Sequence, residues 1–287
     1  MSYVLASDAT FDLPMDLVEK YNIAVVPMMF NLDGQEILHY PDERNMSNEA
    51  FYQALKDGKM STTSQINPAT YVESFTPYLE RGEDILYIAF TSGLSGTYQS
   101  ALIAKDMLLE DFPDRTVEVV DSLCASAGQG YLLYLAGKKK EEGMELSELA
   151  KWTESIRNRV AHFFTVEDLF HLNRGGRLST AEAVMGTALK IKPVLSVDKE
   201  GKLYVENKVR GNKKAMEYMI SKINETRDES EPMVFIGHGD AKERAEELKE
   251  KILEKTNVTD VTITKIGPVI GTHTGPGMLA VLFLEKE

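Results

Sequence analysis

Residues 84–91 (DILYIAFT) form a nearly unbroken apolar stretch, followed at once by a Ser/Gly-rich loop and a helical segment. Such a run reads as a strand buried on both faces, and a strand of that kind needs helices above and below it. This points to a layered α/β sheet. The rest of the first half agrees. Tyr3-Val-Leu-Ala6 reads as a strand, Ser7-Asp8 as its end, and Pro14 opens a helical spacing through Leu17 and Val18 to Tyr21. Residues 23–30 are a second apolar run ahead of the turn signal Asp33-Gly34, after which Ser47 can cap a helix that stops at Gly58. Pro68 opens another helix carrying Tyr71, Val72, Phe75 and Leu79, Ser95 begins a further one, residues 116–121 read as a strand and residues 125–140 as a helix. The expectation is an N-terminal α/β domain over residues 1–157 with a mostly parallel sheet.

After a connecting helix at residues 146–157 the pattern changes. Strands are expected at 160–165, 193–197, 202–209, 233–238, 261–266 and 278–284, with helices at 181–190, 213–224 and 241–255. The runs on either side of Asp198-Lys-Glu-Gly201 read as a hairpin with Gly201 at the turn. Residues 158–287 are therefore expected to form a C-terminal α+β domain with antiparallel pairing.

Charge and cysteine content narrow the function classes. The 287 residues hold 32 Lys+Arg against 45 Asp+Glu, a formal charge of −13, which repels the backbone of a nucleic acid and anionic lipid surfaces alike. The one cysteine, Cys124, cannot form an internal disulfide and suits a reducing compartment. No basic leader precedes the first apolar run, so a cytoplasmic protein is expected. No apolar run approaches the roughly 18 to 20 residues that stable membrane insertion requires. His39, His162, His171 and His238 lack metal-ligand spacing, and no Cys/His cluster is present, so no metal site is expected.

Three hydroxyl-rich loops are the candidate chemistry. The first is Ser61-Thr62-Thr63-Ser64-Gln65 and the second is Thr91-Ser-Gly-Leu-Ser95-Gly96-Thr97, which follows the buried strand and leads into a helix whose amino end favours an anion. Ser95 and Thr97 would equally serve as ordinary helix caps. The third, residues 267–277, sets four glycines and two prolines around His273, flanked by Thr272 and Thr274, and reads as a constrained loop. Ser95 with His273 could imitate a hydrolase of a small acyl ester, yet the G-x-S-x-G elbow is incomplete because Ser92 to Gly96 lacks the glycine two residues before Ser95. No phosphate loop or dinucleotide fingerprint is present, and no cofactor is expected. Asp121-Ser122 with Cys124 closes a strand, where a ligand contact or a small buried thiol are both open readings. Two basic loops remain: residues 173–179 (NRGGRLS), suited to an anion, an acidic partner or a helix end, and residues 208–214 (KVRGNKK), usually a solvated loop.

Taken together, residues 62–65 (TTSQ), 92–98 (SGLSGTY), Asp121-Ser122, 174–179 (RGGRLS), 191–193 (IKP) and 267–277 (GPVIGTHTGPG) resemble the DegV family across essentially the whole chain. The resemblance implies a two-domain α/β fold with a long-chain fatty acid between the domains. It implies a lipid-binding carrier without independent catalytic activity, which presents the carboxylate to the separate catalytic subunit of a fatty acid kinase for acyl phosphate formation. Carried over by position, Thr63, Ser95 and His273 hold the carboxyl group, Thr62, Ser64, Gly96 and Thr97 support it, and Arg177 and Arg210 face the kinase. Ile66-Asn67-Pro68 departs from the family pattern, where proline often follows the Ser-Gln pair directly. Burial of a 14- to 18-carbon tail at roughly 0.8 kcal/mol per CH₂ would supply on the order of 10 kcal/mol. Because the three loops hold no Lys or Arg, the carboxyl end is expected to remain unneutralised. Candidate tail contacts are Met28, Met29, Phe30 and the helix near residues 181–189. Residues 178–191 are expected to move when lipid enters, and amide deuterium exchange that is indifferent to loading there would reject this.

Overall fold

The computed structural model describes residues 2–185 and 191–287. In chain order the first half comprises β1 (Tyr3–Asp8), α1 (Met15–Lys20), β2 (Ala24–Val26), β3 (Met28–Leu32), β4 (Gln35–His39), α2 (Asn48–Lys56) and β5 (Ser61–Thr63). It continues with α3 (Pro68–Glu80), β6 (Asp84–Ala89), α4 (Thr97–Asp111), β7 (Val117–Asp121), α5 (Ala127–Glu141) and α6 (Leu146–Ile156). After one 3-10 turn come β8 (Val160–Thr165), α7 (Phe170–Arg174), α8 (Thr180–Met185), β9 (Ile191–Val197) and β10 (Leu203–Arg210). The chain ends with α9 (Gly211–Thr226), β11 (Met233–His238), α10 (Lys242–Lys255), β12 (Asp260–Lys265), α11 (Pro268–Thr274) and β13 (Leu279–Leu284).

The first sheet is parallel, in the order β2-β1-β6-β7. The chain leaves β1 for β2 on one side and β6 lies on the other, so the carboxyl end of β1 is a topological switch point, where open α/β sheets hold their ligands. A second, three-stranded sheet, β4-β3-β5, is antiparallel and was not foreseen. The apolar run at 23–30 is divided at Pro27, which has no N–H to continue a ladder: β2 stays in the parallel sheet and β3 enters the small one. Asp33 (φ 54°) and Gly34 (φ 87°) then make the two-residue turn between β3 and β4.

The third sheet runs β10-β9-β8-β13-β11-β12. Its pairs are antiparallel except β11 with β12, which are parallel and joined through α10, so the expected antiparallel sheet is a mixed one. The β9–β10 hairpin carries Gly201 at φ 74°, and its tip rests on the loop after β6, where Thr91 Oγ1 donates to the Gly201 carbonyl at 3.0 Å. Of the helix expected over 181–190, residues 186–190 lie outside the described residues, as does part of the expected moving segment. Among the described residues no helix is long and apolar enough to cross a membrane.

The sheets meet on α5. Every residue from Ala127 to Gly137 is buried, and α5 packs on β6 on one side and on β8, β11 and β13 on the other. A helix apolar around its whole circumference has this location as its stable solution. One apolar cluster accordingly runs across both halves of the chain, from Leu5, Phe11 and Leu86 to Phe235 and Leu284. Close approach to the β1 loop requires glycine at 130, since a Cβ there would lie 2.2 Å from the Phe11 carbonyl oxygen. Gly130→Ala is expected to cost about 1–3 kcal/mol despite its better helix propensity, read as a lower midpoint in chemical denaturation.

Candidate functional site

The carboxyl ends of β1, β6 and β7 open onto a cavity of about 770 Å³, counting its mouth, that lies between the parallel sheet and the six-stranded one. Its wall is mostly apolar, with Met28, Phe90, Phe164, Leu172, Ile270, Met278 and Leu282 contributing. Of the expected tail contacts Met28 lines it; Phe30 packs edge-on against Phe51 in a separate core cluster.

Polar side chains interrupt this wall. Thr63, Ser95 and His273, drawn from three separate segments, all line the cavity. Alternation along β5 decides which threonine does so: Thr63 Oγ1 lies 2.8 Å from His273 Nε2, whereas Thr62 is exposed. Ser61, on the same face as Thr63, bonds Thr272 Oγ1 at 2.6 Å, so two successive residues of α11 are held by alternate residues of β5. Ser64 is exposed, and its N–H reaches the Met29 carbonyl at 3.4 Å. Asn67 caps α3 by accepting the Thr70 N–H at 3.0 Å, and Pro68 takes the first helical position, so the departure at 66–68 is a well-formed helix start.

In the second loop, α4 begins at Thr97 with Gly96 as its N-cap, two residues later than expected. Ser95 Oγ accepts the Thr97 N–H at 3.2 Å and lies 2.8 Å from Thr97 Oγ1. Asp121 Oδ1 accepts the N–H groups of Ser92 and Leu123, each at 3.1 Å, tying the ends of β6 and β7 together. Cys124 is fully buried, its thiol pushed well up by desolvation, and it is not among the residues of the cavity wall.

The third loop is a correction. Residues 268–274 form the helix α11, with Pro268 at its first position and Gly275 (φ 69°) past its end. Glycine ahead of proline and glycine at the stop are the terminal signals of a helix, and they were legible. All of α11 except His273 is buried.

Burial lowers His273 to about 4, and the neighbouring Arg177 guanidinium works in the same direction. His273 Nδ1 is buried without a partner against the Gly175 backbone, where a Cβ would come within 2.2 Å of it. A buried orphan N–H is rarer than an orphan acceptor, so the proton is assigned to Nε2, which donates to Thr63 Oγ1. The Thr63 hydroxyl hydrogen is then free to point into the cavity. His162, also in the wall, is neutral as well: Nδ1–H donates to the Val160 carbonyl at 2.9 Å, Nε2 accepts the Ala125 N–H at 3.2 Å, and burial lowers it to about 4.

Arg177 was expected on a partner-facing surface, yet its side chain lines the same cavity. Its Nε donates to the Leu94 carbonyl at 3.2 Å and another guanidinium nitrogen donates to Gly175. The three loops carry no Lys or Arg, while a fourth segment brings the Arg177 guanidinium into the wall, where it already donates to two backbone carbonyls. Arg210 ends β10 and is exposed. Sequence reasoning also missed Thr10, Ser126 and His162 in the wall, and the buried Asp8, which accepts Tyr87 OH at 2.9 Å, Phe90 N–H at 3.0 Å and Gln129 Nε2 at 3.2 Å. Among the described residues no group of three or more His, Cys, Asp or Glu side chains converges as metal ligands.

The lowered His273 has a direct consequence for pH. An unfolded chain protonates this ring near 6.5, so its contribution to stability is fully present above that pH and is lost as pH falls toward about 4. Histidine ring resonances followed by NMR should show His273 neutral through the physiological range, with its midpoint well below the ordinary value.

A DegV family model matches residues 3–286 of the chain. A DegV domain-containing protein of Clostridium perfringens is 41% identical over 283 residues, covering 98% of this chain and 97% of the relative. Among solved structures, a DegV family protein from Thermus thermophilus, described by its fatty acid binding, superposes with a TM-score of 0.87 at 30% identity, covering 100% of both chains. A Thermotoga maritima protein, described as revealing a fatty acid binding function, gives a TM-score of 0.84 at 29% identity, again over 100% of both chains. The architecture is that of these proteins, and the chain belongs to the DegV family.

Proposed function

We propose that this chain binds a long-chain fatty acid in the inter-sheet cavity, with the carboxyl group at Thr63, Ser95 and His273 and the tail along the apolar wall. The observation that carries the reading is that two hydroxyls and a neutral imidazole, brought by three separate segments, line one mostly apolar cavity, with Thr63 bonded to His273. Affinity comes from the tail, at roughly 0.8 kcal/mol per buried CH₂, while the polar groups fix the orientation of the head. Fatty acid binding by the Thermus and Thermotoga proteins, similar over their whole length, supports the same ligand class here. Thr62, Ser64, Gly96 and Thr97 would then act on the head group through the loop backbone and through Thr63 and Ser95.

In this reading the chain is a carrier. It presents the carboxylate to a separate ATP-using kinase subunit, which forms the acyl phosphate, and Arg210 belongs to the surface that meets this subunit. Arg177, within the cavity wall, would touch the head group as well as the partner. The hydrolase alternative is disfavoured by geometry: the His273 Nε2 that would have to take a proton from Ser95 is engaged by Thr63, and Ser95 Oγ by Thr97.

Organic extraction of the purified protein followed by mass spectrometry should release long-chain fatty acid in stoichiometric amount. A protein free of lipid that also fails to take up palmitate would sink the proposal. Thr63→Val, which removes the head-group hydroxyl at nearly constant volume, should weaken palmitate binding about tenfold, whereas Thr62→Val should leave it unchanged. Acyl phosphate should appear only when ATP and a kinase subunit are both supplied.

A further inference from the structure

Asp12, in the loop after β1, is 6% exposed and sits at φ 46°, in the left-handed region. Its Oδ1 accepts the N–H of Gly267, the N-cap of α11, at 2.8 Å. Its Oδ2 lies 2.5 Å from Oγ of Ser126, the N-cap of α5. Thr264 Oγ1 donates to the Asp12 backbone carbonyl at 2.5 Å. Ser126 is itself at φ 55°, ψ −136°, a conformation costly for any residue but glycine. Two strained residues, 114 positions apart, are thus bonded to each other, and strain of this kind persists only where surrounding structure holds it. Ser126 lines the cavity, as does Thr10 two residues before Asp12, and α11, which Asp12 bonds through Gly267, carries His273.

We propose that Asp12 is a positioning residue of the head-group site, whose single carboxyl group joins the amino ends of α5 and α11 and whose proton is linked to retention of the fatty acid. The proposal rests on the fatty-acid reading of the cavity. In the ionised state both carboxyl oxygens accept, and the Ser126 hydroxyl hydrogen is committed to Asp12. On protonation the new O–H on Oδ2 donates to Ser126 Oγ, Gly267 keeps its bond to Oδ1, and the Ser126 hydroxyl hydrogen turns free toward the cavity. A buried carboxylate also repels the anionic head of a ligand behind the same wall. Ligand uptake therefore favours protonated Asp12, and by reciprocity the ligand raises the proton affinity of Asp12.

The surroundings put this equilibrium within reach. Burial raises Asp12 to about 7, the Asp8 charge adds to the rise, and the bonds from Ser126 and Gly267 oppose it. Tyr52 of α2 faces it, its OH donating to the Ile266 carbonyl at 2.9 Å. His39 of β4 lies beside Gly267 and is held neutral by burial, lowered to about 4. Asp12 itself borders a second, solvent-facing cleft with His39, Glu43, Asn48 and Lys265, none of which lines the lipid cavity. Lys265 Nζ is paired there with Glu43 at 3.2 Å and Glu49 at 2.9 Å. This cleft lets the carboxyl exchange its proton with water without crossing the lipid cavity.

The test compares palmitate affinity of the full chain and of Asp12→Asn across neutral pH; taking the ratio cancels titration of the ligand itself. Wild-type affinity relative to the variant should fall about fivefold as pH rises through neutrality, the lower end of ordinary site-to-site coupling. A ratio independent of pH overturns the proposal. Wild-type protein without ligand supplies a second readout that does not require the variant to fold. The Asp12 carboxyl, the Gly267 amide and the His273 ring are followed by NMR, and all three should move with one midpoint near neutrality. His273 is neutral there, so movement of its ring reports its neighbour. If Asp12 titrates while His273 and the α11 amides stay still, positioning is refuted. If palmitate does not bind at any pH while the three signals move together, the fatty-acid reading fails and the linkage to α11 stands.

Discussion

A helix with no solvent side fixes this molecule. The first ten or so residues of α5 are enclosed by the parallel sheet on one face and by the six-stranded sheet on the other. Each sheet has an apolar face that must be covered, and α5 covers both, so the two halves of the chain share one core. The amino end of the same helix emerges where β1, β6 and β7 finish, and there the packing is incomplete. The cavity is the space left between two twisted layers around the start of a buried helix, and the small side chains of Ala125, Ser126 and Ala127 form part of its wall.

Electrostatics at the polar end are subdued by design of the surroundings. His162 and His273 are both held neutral by burial, and their hydrogen bonds set their tautomers. Among the described residues the Arg177 guanidinium is the cation of the wall, already engaged by the Leu94 and Gly175 carbonyls. On the proposed reading the head group therefore meets mostly oriented hydroxyls, with one cation whose donors are partly occupied. Such a site can hold a carboxylate without forming the tight bidentate pair that would make its oxygens poor nucleophiles.

Much of this was legible in the chain. The run at 84–91 contains β6, buried throughout, and the helical spacings at Ser47 and Pro68 correspond to α2 and α3, capped by Ser47 and Asn67. What escaped had physical reasons. β5 spans three residues, too few for periodicity to register, and β3 was merged with β2 because Pro27 lies inside a continuous apolar run. α11 was hidden by its own glycines, which signal loops by composition and helix ends only by position. The network around Asp8 and Asp12 could not be read because its partners, Gln129, Ser126 and Gly267, are more than a hundred residues away and only the fold brings them near. That Arg177 also reaches the cavity wall was not legible, because a charged side chain in a glycine loop gives no sign of the direction in which it turns.

The short tract from Ser61 to Ser64 carries a hydroxyl at every position, with one alternate pair turned toward α11 and the other toward water. Sliding this strand by one place would exchange the pairs and still offer α11 a serine and a threonine. Its own composition thus gives no protection against a shifted frame. Alignment is imposed from outside, by the ladder to β3 and by the Ser61 hydroxyl on the Asn31 carbonyl. The chemistry at this edge therefore depends on β3 as much as on the residues of β5 itself.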